Sequence, residues 1–164
     1  MWTGFTDGTI SAGNGGLELK RFSVLDGAGV ALAKAAGMRV AIVSGRYSPA
    51  TEERARELGL ADDCYQGQLD KVAVLKELKR RYGFEDYEAA YVGDDIIDLE
   101  IMKRVGLPVA VANGHPMVKA VARFTTRARG GEGAFREAVE VILEGKEIYE
   151  STVEKLQQEI SLDG

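Results

Sequence analysis

The sequence predicts an α/β domain with a parallel sheet, on two observations. Short runs that are apolar throughout, at residues 39–43 and 89–92, alternate along the chain with amphipathic helical segments. Strands of this kind are typical of a parallel sheet covered by helices on both faces. Polar clusters follow both runs directly, at residues 44–46 and 93–95. Ligands bind at the carboxyl ends of strands in such folds, so we expect a functional site there.

Turn residues and periodicity define the elements in order. Residues 6–22 have a glycine-rich middle between short alternating stretches, which predicts a β-hairpin flap around residues 14–16. Residues 24–36 have helical spacing, and Gly37 is placed to end that helix. Pro49 opens a helix that Gly59 ends. The remaining predictions are helices at residues 71–82, 97–104, 117–122, 133–144 and 148–160, and a third strand at residues 107–112.

Size, charge and composition restrict the function classes. The chain has 164 residues, of which 45% are hydrophobic and 29% charged, which predicts one domain over residues 1–164. A net charge of −5 argues against binding to nucleic acid or to a membrane surface. No targeting or membrane-spanning segment is recognisable. One cysteine (Cys64) and one histidine (His115) make neither a disulfide nor a zinc site, so a reducing cytoplasm is expected.

The segment from Gly93 to Asp98 carries the strongest chemical signal. Its glycine permits a tight turn off the strand, and Asp94 and Asp95 offer hard oxygen ligands suited to a magnesium ion that also holds a phosphate. The other interpretation is an acidic helix N-terminus in which Asp98 is a solvated or capping side chain.

Two further positions suit anion chemistry. The tripeptide Ser44-Gly45-Arg46 can present a hydroxyl, backbone amides and a guanidinium to a phosphate or carboxylate, although it is also a common turn. Lys71 opens a helix, where a positive charge is unfavourable for the helix dipole unless it has another task; a surface lysine is the alternative. Their order along the chain is a hydroxyl after one strand, then a lysine, then a paired-aspartate turn.

This order resembles motifs II, III and IV of the haloacid dehalogenase superfamily. The sequence between these motifs is similar to that of the small, cap-less 3-deoxy-D-manno-octulosonate 8-phosphate phosphatases, and the similarity extends over about residues 6–145. A related module accompanies sialic-acid cytidylyltransferases, so another keto-sugar acid phosphate remains open as the substrate. The stretches that carry the resemblance are TDG (6–8), GNGGLELKRFSVLDGAGV (13–30), VSGR (43–46), YQGQLDK (65–71), YVGDDIIDLEIM (91–102), VGLPVAVANGHP (105–116) and GGEGAFRE (130–137).

The resemblance implies a Rossmann-like three-layer core without a cap, and phosphoryl transfer to an aspartate followed by hydrolysis. It implies that Ser44 binds the transferring phosphoryl group and that Lys71 holds the nucleophile and neutralises charge. It also implies that Asp94 ligates Mg²⁺ and that Asp95 supports it. The positions that it matches to contact with the sugar acid are Ser23, Asp26, Gly27, Gly45, Arg46 and Arg54.

The chain departs from the family at motif I, an apolar strand that ends in Asp-x-Asp. Alignment without a gap puts the first aspartate before Met1 and Trp2 at the second. Three explanations stay open: a late start, which would account for the first aspartate but not for Trp2, a slid register in which Asp7 is the nucleophile, and a non-catalytic relative. In each case we expect the first, central strand of the sheet to be missing or reduced, with Met1–Phe5 as a possible short replacement.

Cap-less relatives assemble as tetramers, and the resemblance implies a homotetramer in which the flap and the C-terminal tail help to close a neighbour's site. The tail, residues 146–164, is longer than the resemblance requires. Its apolar spacing fits an amphipathic interface helix or, equally, a solvated helix.

Overall fold

A computed structural model describes residues 6, 8–16 and 18–162 of the chain. These residues form seven short strands and seven α-helices, which alternate after the first hairpin until two consecutive helices end the described chain. The strands are β1 (Ser11–Ala12), β2 (Glu18–Leu19), β3 (Ile42–Val43), β4 (Cys64–Tyr65), β5 (Ala90–Gly93), β6 (Leu107–Ala110) and β7 (Phe124–Thr125). The helices are α1 (Val24–Ala35), α2 (Pro49–Glu57), α3 (Lys71–Tyr82), α4 (Leu99–Met102), α5 (Pro116–Val121), α6 (Ala134–Gly145) and α7 (Tyr149–Leu162).

The main sheet is parallel, which confirms the predicted fold class. Strand β3 pairs with β4, with Ile42 opposite Cys64. Strands β5, β6 and β7 form a second parallel group, with Ala90 opposite Leu107 and Val109 opposite Phe124. Within the described residues no strand joins β3 to β5. The prediction for Met1–Phe5 lies outside the described residues.

The predicted flap is an antiparallel hairpin. Ser11 lies opposite Leu19, and a bridge between Thr6 and Phe22 closes the base of the hairpin. Gly15 in the connecting turn has φ of 71°, a left-handed conformation that glycine adopts without a side-chain clash. The hairpin is small, and the rest of the described chain adds no second domain above the sheet.

Helices cover both faces of the sheet, which gives the three layers that were expected. Helix α1 packs against α6 and α7, and these helices bury the larger apolar cluster against strand residues such as Ile42 and Val109. On the other face, α3, α4 and α5 enclose a cluster around Tyr91 and Met102. Within the described part of the chain, no helix is long and apolar enough to cross a bilayer.

Local side chains set the ends of several helices. Ser23 caps α1 by accepting a hydrogen bond from the Leu25 N–H at 3.1 Å, and Asp70 caps α3 by accepting from Ala73 at 3.1 Å. Gly83 ends α3 with φ of 69°, as its position predicted. The long tail forms α7, whose Thr152 is buried and whose Lys155 donates to the Ala35 carbonyl in α1.

Two predictions about elements were wrong in extent, and two short strands were missed. Within the described residues the run at residues 39–43 pairs at Ile42–Val43 alone, because a 3-10 turn at Ala61–Asp63 immediately precedes its partner β4. The helix at residues 97–104 begins as a 3-10 turn (Ile96–Asp98) and is α-helical only over Leu99–Met102. The two-residue strands β4 and β7 were not predicted, because so short a run shows no periodicity.

Candidate functional site

The candidate site lies at the carboxyl ends of β3 and β5, where three loops meet. Backbone hydrogen bonds join the loop after β3 to the segment before α3, since the Gln68 N–H donates to the Ser44 carbonyl at 3.0 Å. A Cβ added to Gly45 would lie 3.1 Å from Leu69 and 3.6 Å from Ile97. The loop after β3, the entry to α3 and the loop after β5 are therefore in contact, as the positions of the polar clusters predicted.

A buried ion pair joins two of these loops. The Lys71 ammonium lies 2.5 Å from Asp98 Oδ1, and the two residues are 4% and 0% exposed. Tyr91 donates its hydroxyl to the same oxygen at 2.7 Å. The other oxygen, Oδ2, accepts from the N–H groups of Asp94 at 2.9 Å and Asp95 at 3.1 Å. Asp98 thus holds both Lys71 and the loop after β5 in place.

These contacts determine the ionisation of Asp98. Burial opposes the charged form, but the Lys71 ammonium and the hydrogen bonds from Tyr91 and Asp94 outweigh it and hold the pKa of Asp98 below its usual value. A carboxylate in this environment stays ionised and keeps the neighbouring lysine paired.

The environment of Asp94 shifts its pKa in the opposite direction to that of Asp98. Burial, and then the negative charge of Asp98, raise the pKa of Asp94 to about 6, and Lys71 offsets only part of this shift. The neighbouring Asp95 is exposed, and its Oδ1 accepts from the Ile96 N–H at 2.7 Å. Asp94 is therefore the half-buried carboxylate of the loop, whereas Asp95 begins the following turn.

The loop after β3 has a folded geometry of its own. Ser44 Oγ donates to the Arg46 carbonyl at 2.8 Å and accepts from the Arg46 N–H at 3.2 Å. The Arg46 guanidinium extends to the flap, where it lies 2.5 Å from Glu18 Oε2. The Arg46 guanidinium, which is the group of this loop that could bind an anion, therefore already pairs with the Glu18 carboxylate of the flap.

The remaining predicted contacts lie around α1. A Cβ on Gly27 would meet Arg54 Nη2 at 2.6 Å, so the absence of a side chain at Gly27 lets Arg54 lie against α1. Arg54 also pairs with Glu57 at 2.9 Å. Ser23 caps α1, as described above. The structure brings Gly27 and Arg54 together, whereas the alternative nucleophile Asp7 lies outside the described residues.

Asp26 requires a correction, because the structure gives it a capping position instead of an open one. Its side chain is 0% exposed and accepts from the N–H groups of Gly133, Phe135 and Arg136 at 3.2, 3.0 and 3.4 Å. Burial raises the pKa of Asp26 although these hydrogen bonds act against the shift. Asp26 fastens α1 to the start of α6 and offers no surface to a ligand.

The capping interpretation of Asp98 is confirmed, because its Oδ2 accepts from the Asp95 N–H at 3.1 Å. Sequence reasoning missed two contacts of this region, that of Asp98 with Lys71 and that of Glu18 with Arg46. The signal for Asp98 is its place three residues after Asp95, the spacing of a capping box at a helix N-terminus. Glu18 gives no comparable signal, because only the folding of the hairpin brings it to Arg46.

The donor set fits a magnesium ion that is shared with a phosphate. Over the described ranges, no three acidic, histidine or cysteine side chains lie together at metal-ligand spacing. Asp94 supplies one carboxylate, and both oxygens of Asp98 are engaged by protein donors. Mg²⁺ is commonly held by one or two carboxylates while water and substrate phosphate complete its shell. The site therefore has the right ligand type but not a closed cage.

Comparisons with known proteins agree with this geometry. A model of the haloacid dehalogenase-like hydrolases matches residues 63–134, which include Lys71 and the loop after β5. The fold and the site thus define the class as haloacid dehalogenase-like hydrolases. The 3-deoxy-D-manno-octulosonate 8-phosphate phosphatase of Yersinia pestis is 44% identical over 138 residues, which are 84% of this chain and 73% of that protein. This chain belongs to the same phosphatase family, as its motifs predicted.

Solved structures of relatives superpose closely on this fold. The Yersinia pestis phosphatase matches with a TM-score of 0.87 and 40% identity, over 91% of this chain and 81% of that chain. The phosphatase of Moraxella catarrhalis, in complex with a magnesium ion, a phosphate ion and a KDO molecule, matches with a TM-score of 0.86 and 37% identity. That match covers 91% of this chain and 85% of that chain.

Proposed function

We propose that this chain is the scaffold of a magnesium-dependent phosphatase for a keto-sugar acid phosphate of the 3-deoxy-D-manno-octulosonate 8-phosphate type. The observation that carries the proposal is the meeting of Ser44, Lys71 and Asp94 at one sheet edge, in a chain 44% identical to such a phosphatase. The reaction transfers the phosphoryl group to an aspartate, and water then releases inorganic phosphate and the sugar acid.

Each of the three residues has a role in this proposal. The Ser44 hydroxyl and the adjacent amides bind the transferring phosphoryl oxygens, and the Lys71 ammonium neutralises charge that develops on them. Lys71 is held by Asp98, so its position does not depend on the substrate. Asp95 supports the loop from its exposed position.

Asp94 is the residue of the described chain that would hold Mg²⁺. The ion would supply positive charge to the phosphate oxygens and orient the group for transfer. Ionisation of Asp94 limits its part in this binding, because its pKa of about 6 lies close to neutral pH. We therefore expect the affinity for Mg²⁺ to fall below pH 6.

The proposed substrate-binding positions lie in two groups. Arg46 and Gly45 lie in the loop after β3, and Arg54 lies against Gly27, with Ser23 at the start of α1. A planar guanidinium binds a carboxylate with two hydrogen bonds, so Arg46 and Arg54 are the candidates for the acid group of the sugar. If the carboxylate of the sugar binds Arg46, it would replace the Glu18 carboxylate of the flap.

A second candidate function is a catalytically impaired relative that binds or assembles without turnover. The observation in its favour is Trp2, which stands where the family carries the second aspartate of motif I. An indole can neither donate a proton to the leaving group nor ligate a metal ion. The two functions share the same pocket and differ only in turnover.

The deciding experiment is phosphate release from 3-deoxy-D-manno-octulosonate 8-phosphate, and from an aryl phosphate, in the presence of Mg²⁺. This chain is compared with a restored chain that carries Trp2→Asp behind an added apolar strand ending in Asp-x. We expect release from the restored chain, and a loss of about a hundredfold or more when Asp94→Asn is added to it. Glu100→Gln, on the exposed face of α4, is the matched control.

Each result has one meaning. A folded restored chain that releases no phosphate contradicts the phosphatase proposal. If only the restored chain releases phosphate, the unsubstituted chain is a catalytically impaired relative, the second candidate function. If the printed chain is active and Asp7→Asn abolishes that activity, Asp7 is the nucleophile and the motif I alignment is wrong.

We further propose that the chain forms a homotetramer in which the flap closes a neighbour's site. The exposed apolar side chains Leu19, Leu25 and Leu69 support this proposal, because they lie on the flap or near the site and would be covered by a neighbour. Light scattering at micromolar concentration tests it, and a monomer would contradict it. Helix α7 packs on α1 of its own chain, so the tail is the less suitable element for exchange.

A further inference from the structure

A polar cluster lies between the flap and the start of α2. It consists of Glu18 and Lys20 of the flap, Arg46 of the loop after β3, and Ser48 and Thr51 at the start of α2. Glu18 Oε2 lies 2.5 Å from Arg46 Nη2, and Glu18 Oε1 lies 3.9 Å from the Lys20 ammonium. Lys20 also donates to Thr51 Oγ1 at 3.2 Å. The Glu18 carboxylate therefore stands between two cations, and the three charged groups carry one more positive charge than negative.

The contact with Glu18 involves the guanidinium nitrogen that a ligand carboxylate also needs. Arg46 is 54% exposed, whereas the side chain of Glu18 is only 15% exposed. A guanidinium has two edges on which a pair of N–H groups can bind both oxygens of a carboxylate, and Nη2 belongs to both edges. Two carboxylates at one nitrogen repel each other. A ligand carboxylate that makes two hydrogen bonds to Arg46 therefore displaces Glu18.

Glu18 has a second set of partners that does not include Arg46. Ser48 is buried, and its hydroxyl is close enough to lower the pKa of Glu18, to which Arg46 and Lys20 also contribute. The two side chains are nevertheless not aligned, because in the described part of the chain neither Ser48 Oγ nor Glu18 Oε1 has a hydrogen-bond partner. A buried polar atom without a partner is unfavourable. A shift of the carboxylate from Arg46 toward Ser48 and Lys20 would satisfy both oxygens.

We propose that Glu18 is a specificity-determining residue, whose carboxylate occupies the acid-group position at Arg46 until a ligand carboxylate replaces it. The displaced Glu18 then pairs with Lys20 and accepts from the Ser48 hydroxyl, so its charge stays compensated. A ligand without a carboxylate leaves the pair of Glu18 with Arg46 intact and gains nothing from the guanidinium. The inference rests on the proposed function, in which Arg46 is a candidate for the acid group of the sugar.

Calorimetric titration of the whole chain in the presence of Mg²⁺ tests this role. The probes are two non-hydrolysable phosphonate analogues of 3-deoxy-D-manno-octulosonate 8-phosphate, one with the free carboxylate and one with its uncharged methyl ester. Glu18→Gln removes the competing carboxylate, so we expect it to tighten binding of the free acid by about two- to fivefold. Binding of the ester should not change, because the ester does not take Arg46 from Glu18.

Two further variants show whether the effect acts through Arg46. In a chain that carries Arg46→Gln, the addition of Glu18→Gln should not change the affinity for the free acid, because the group for which Glu18 competes is absent. Glu52→Gln is the matched control for net charge. Glu52 is an exposed residue of α2 that accepts from the hydroxyl of Tyr47, next to Arg46 in the chain. Its substitution should change neither affinity.

Several results would overturn the proposal. Weaker binding of the free acid after Glu18→Gln would mean that Glu18 only positions Arg46. Equal tightening of the acid and the ester, an effect that persists without Arg46, or no binding of the free acid to any of these chains would also overturn it. Phosphate release by the restored chain is a separate measurement. Release without the effect of Glu18→Gln leaves the phosphatase function and removes this inference, and the effect without release does the reverse.

Discussion

Asp98 organises the candidate site at the scale of single residues. Its two oxygens accept from the Lys71 ammonium, the Tyr91 hydroxyl and the backbone amides of Asp94 and Asp95. A buried carboxylate with this many donors stays ionised, and its negative charge adds to the burial that raises the pKa of the neighbouring Asp94. The same interaction therefore fixes the lysine and adjusts the carboxylate that would meet the metal.

Removal of Asp98 tests this arrangement. Asp98→Ala leaves the Lys71 ammonium buried without a counter-charge, which should lower the free energy of unfolding by about 3–5 kcal/mol. The double variant Lys71→Met, Asp98→Leu should recover most of that loss, because it removes both charges. Denaturant unfolding measures both values, and the exposed Glu100→Ala serves as the control. A loss at Asp98→Ala no larger than that of the control would contradict the role assigned to the pair.

Asp94 should make stability depend on pH. Its pKa is raised to about 6 in the folded chain from an ordinary value near 3.8, so its contribution to stability is full at low pH and is lost as the pH rises through 6. Asp94→Asn removes this loss. The variant should therefore gain about 1–2 kcal/mol over the unsubstituted chain at pH 8, after allowance for partial exposure, and much less at pH 4. Thermal unfolding at the two pH values without Mg²⁺ checks this, and an equal difference at both would contradict it.

At the scale of elements, a side chain distant in sequence connects α1 and α6. Asp26 in the first turn of α1 accepts from Gly133 and Phe135 at the start of α6, over more than a hundred residues of chain. Gly133 has φ of 99°, a left-handed conformation that aims its N–H at the carboxylate. The two helices that cover one face of the sheet are therefore fastened at the same end.

Loss of this cap should loosen α6. Asp26→Ala leaves three backbone N–H groups without their acceptor, so we expect a loss of about 2 kcal/mol in the free energy of unfolding. Faster amide exchange should be confined to Gly133, Phe135 and Arg136. Glu132→Ala, an exposed neighbour, is the matched substitution and should leave these amides protected. If Asp26→Ala changes the affinity for a phosphate ligand but leaves amide exchange unchanged, Asp26 binds the ligand and does not act as a cap.

The sheet and the tail define behaviour at the scale of the whole molecule. Among the described residues the sheet consists of two parallel groups, and the apolar cluster that α1 and α6 cover includes residues of both groups, such as Ile42 and Val109. Helix α7 adds to this cover, because Val153 and Leu156 pack against the cluster that α1 and α6 share.

Truncation of the tail tests whether helix α7 packs on its own chain or is exchanged with a neighbouring subunit. A chain that ends at Lys146 loses the apolar contacts of α7, so we expect a loss of about 2–4 kcal/mol in the free energy of unfolding with no change in oligomeric state. A chain that ends at Glu159 should retain full stability, because the described residues that it removes, Ile160, Ser161 and Leu162, are all exposed. Denaturant unfolding and light scattering measure the two properties. A truncated chain of unchanged stability and altered assembly would show that the tail crosses to a neighbour.

Local sequence signals determined much of this protein. Apolar runs, glycine stops and the spacing of polar clusters predicted the parallel α/β fold, the hairpin flap and the bounds of α3, because each depends on residues close together in the chain. The same signals placed Ser44, Lys71 and Asp94 at one sheet edge, since parallel strands end on the same side.

Only the tertiary structure decided the remaining features, because each requires residues from distant elements to meet. The ion pair of Lys71 with Asp98 forms when α3 packs beside the loop after β5, and the pairing of Glu18 with Arg46 forms when the hairpin folds over the loop after β3. Asp26 likewise turned from a candidate ligand contact into a helix cap through the position of Gly133. Burial and partner charge assign these roles, and neither is a property of the local sequence.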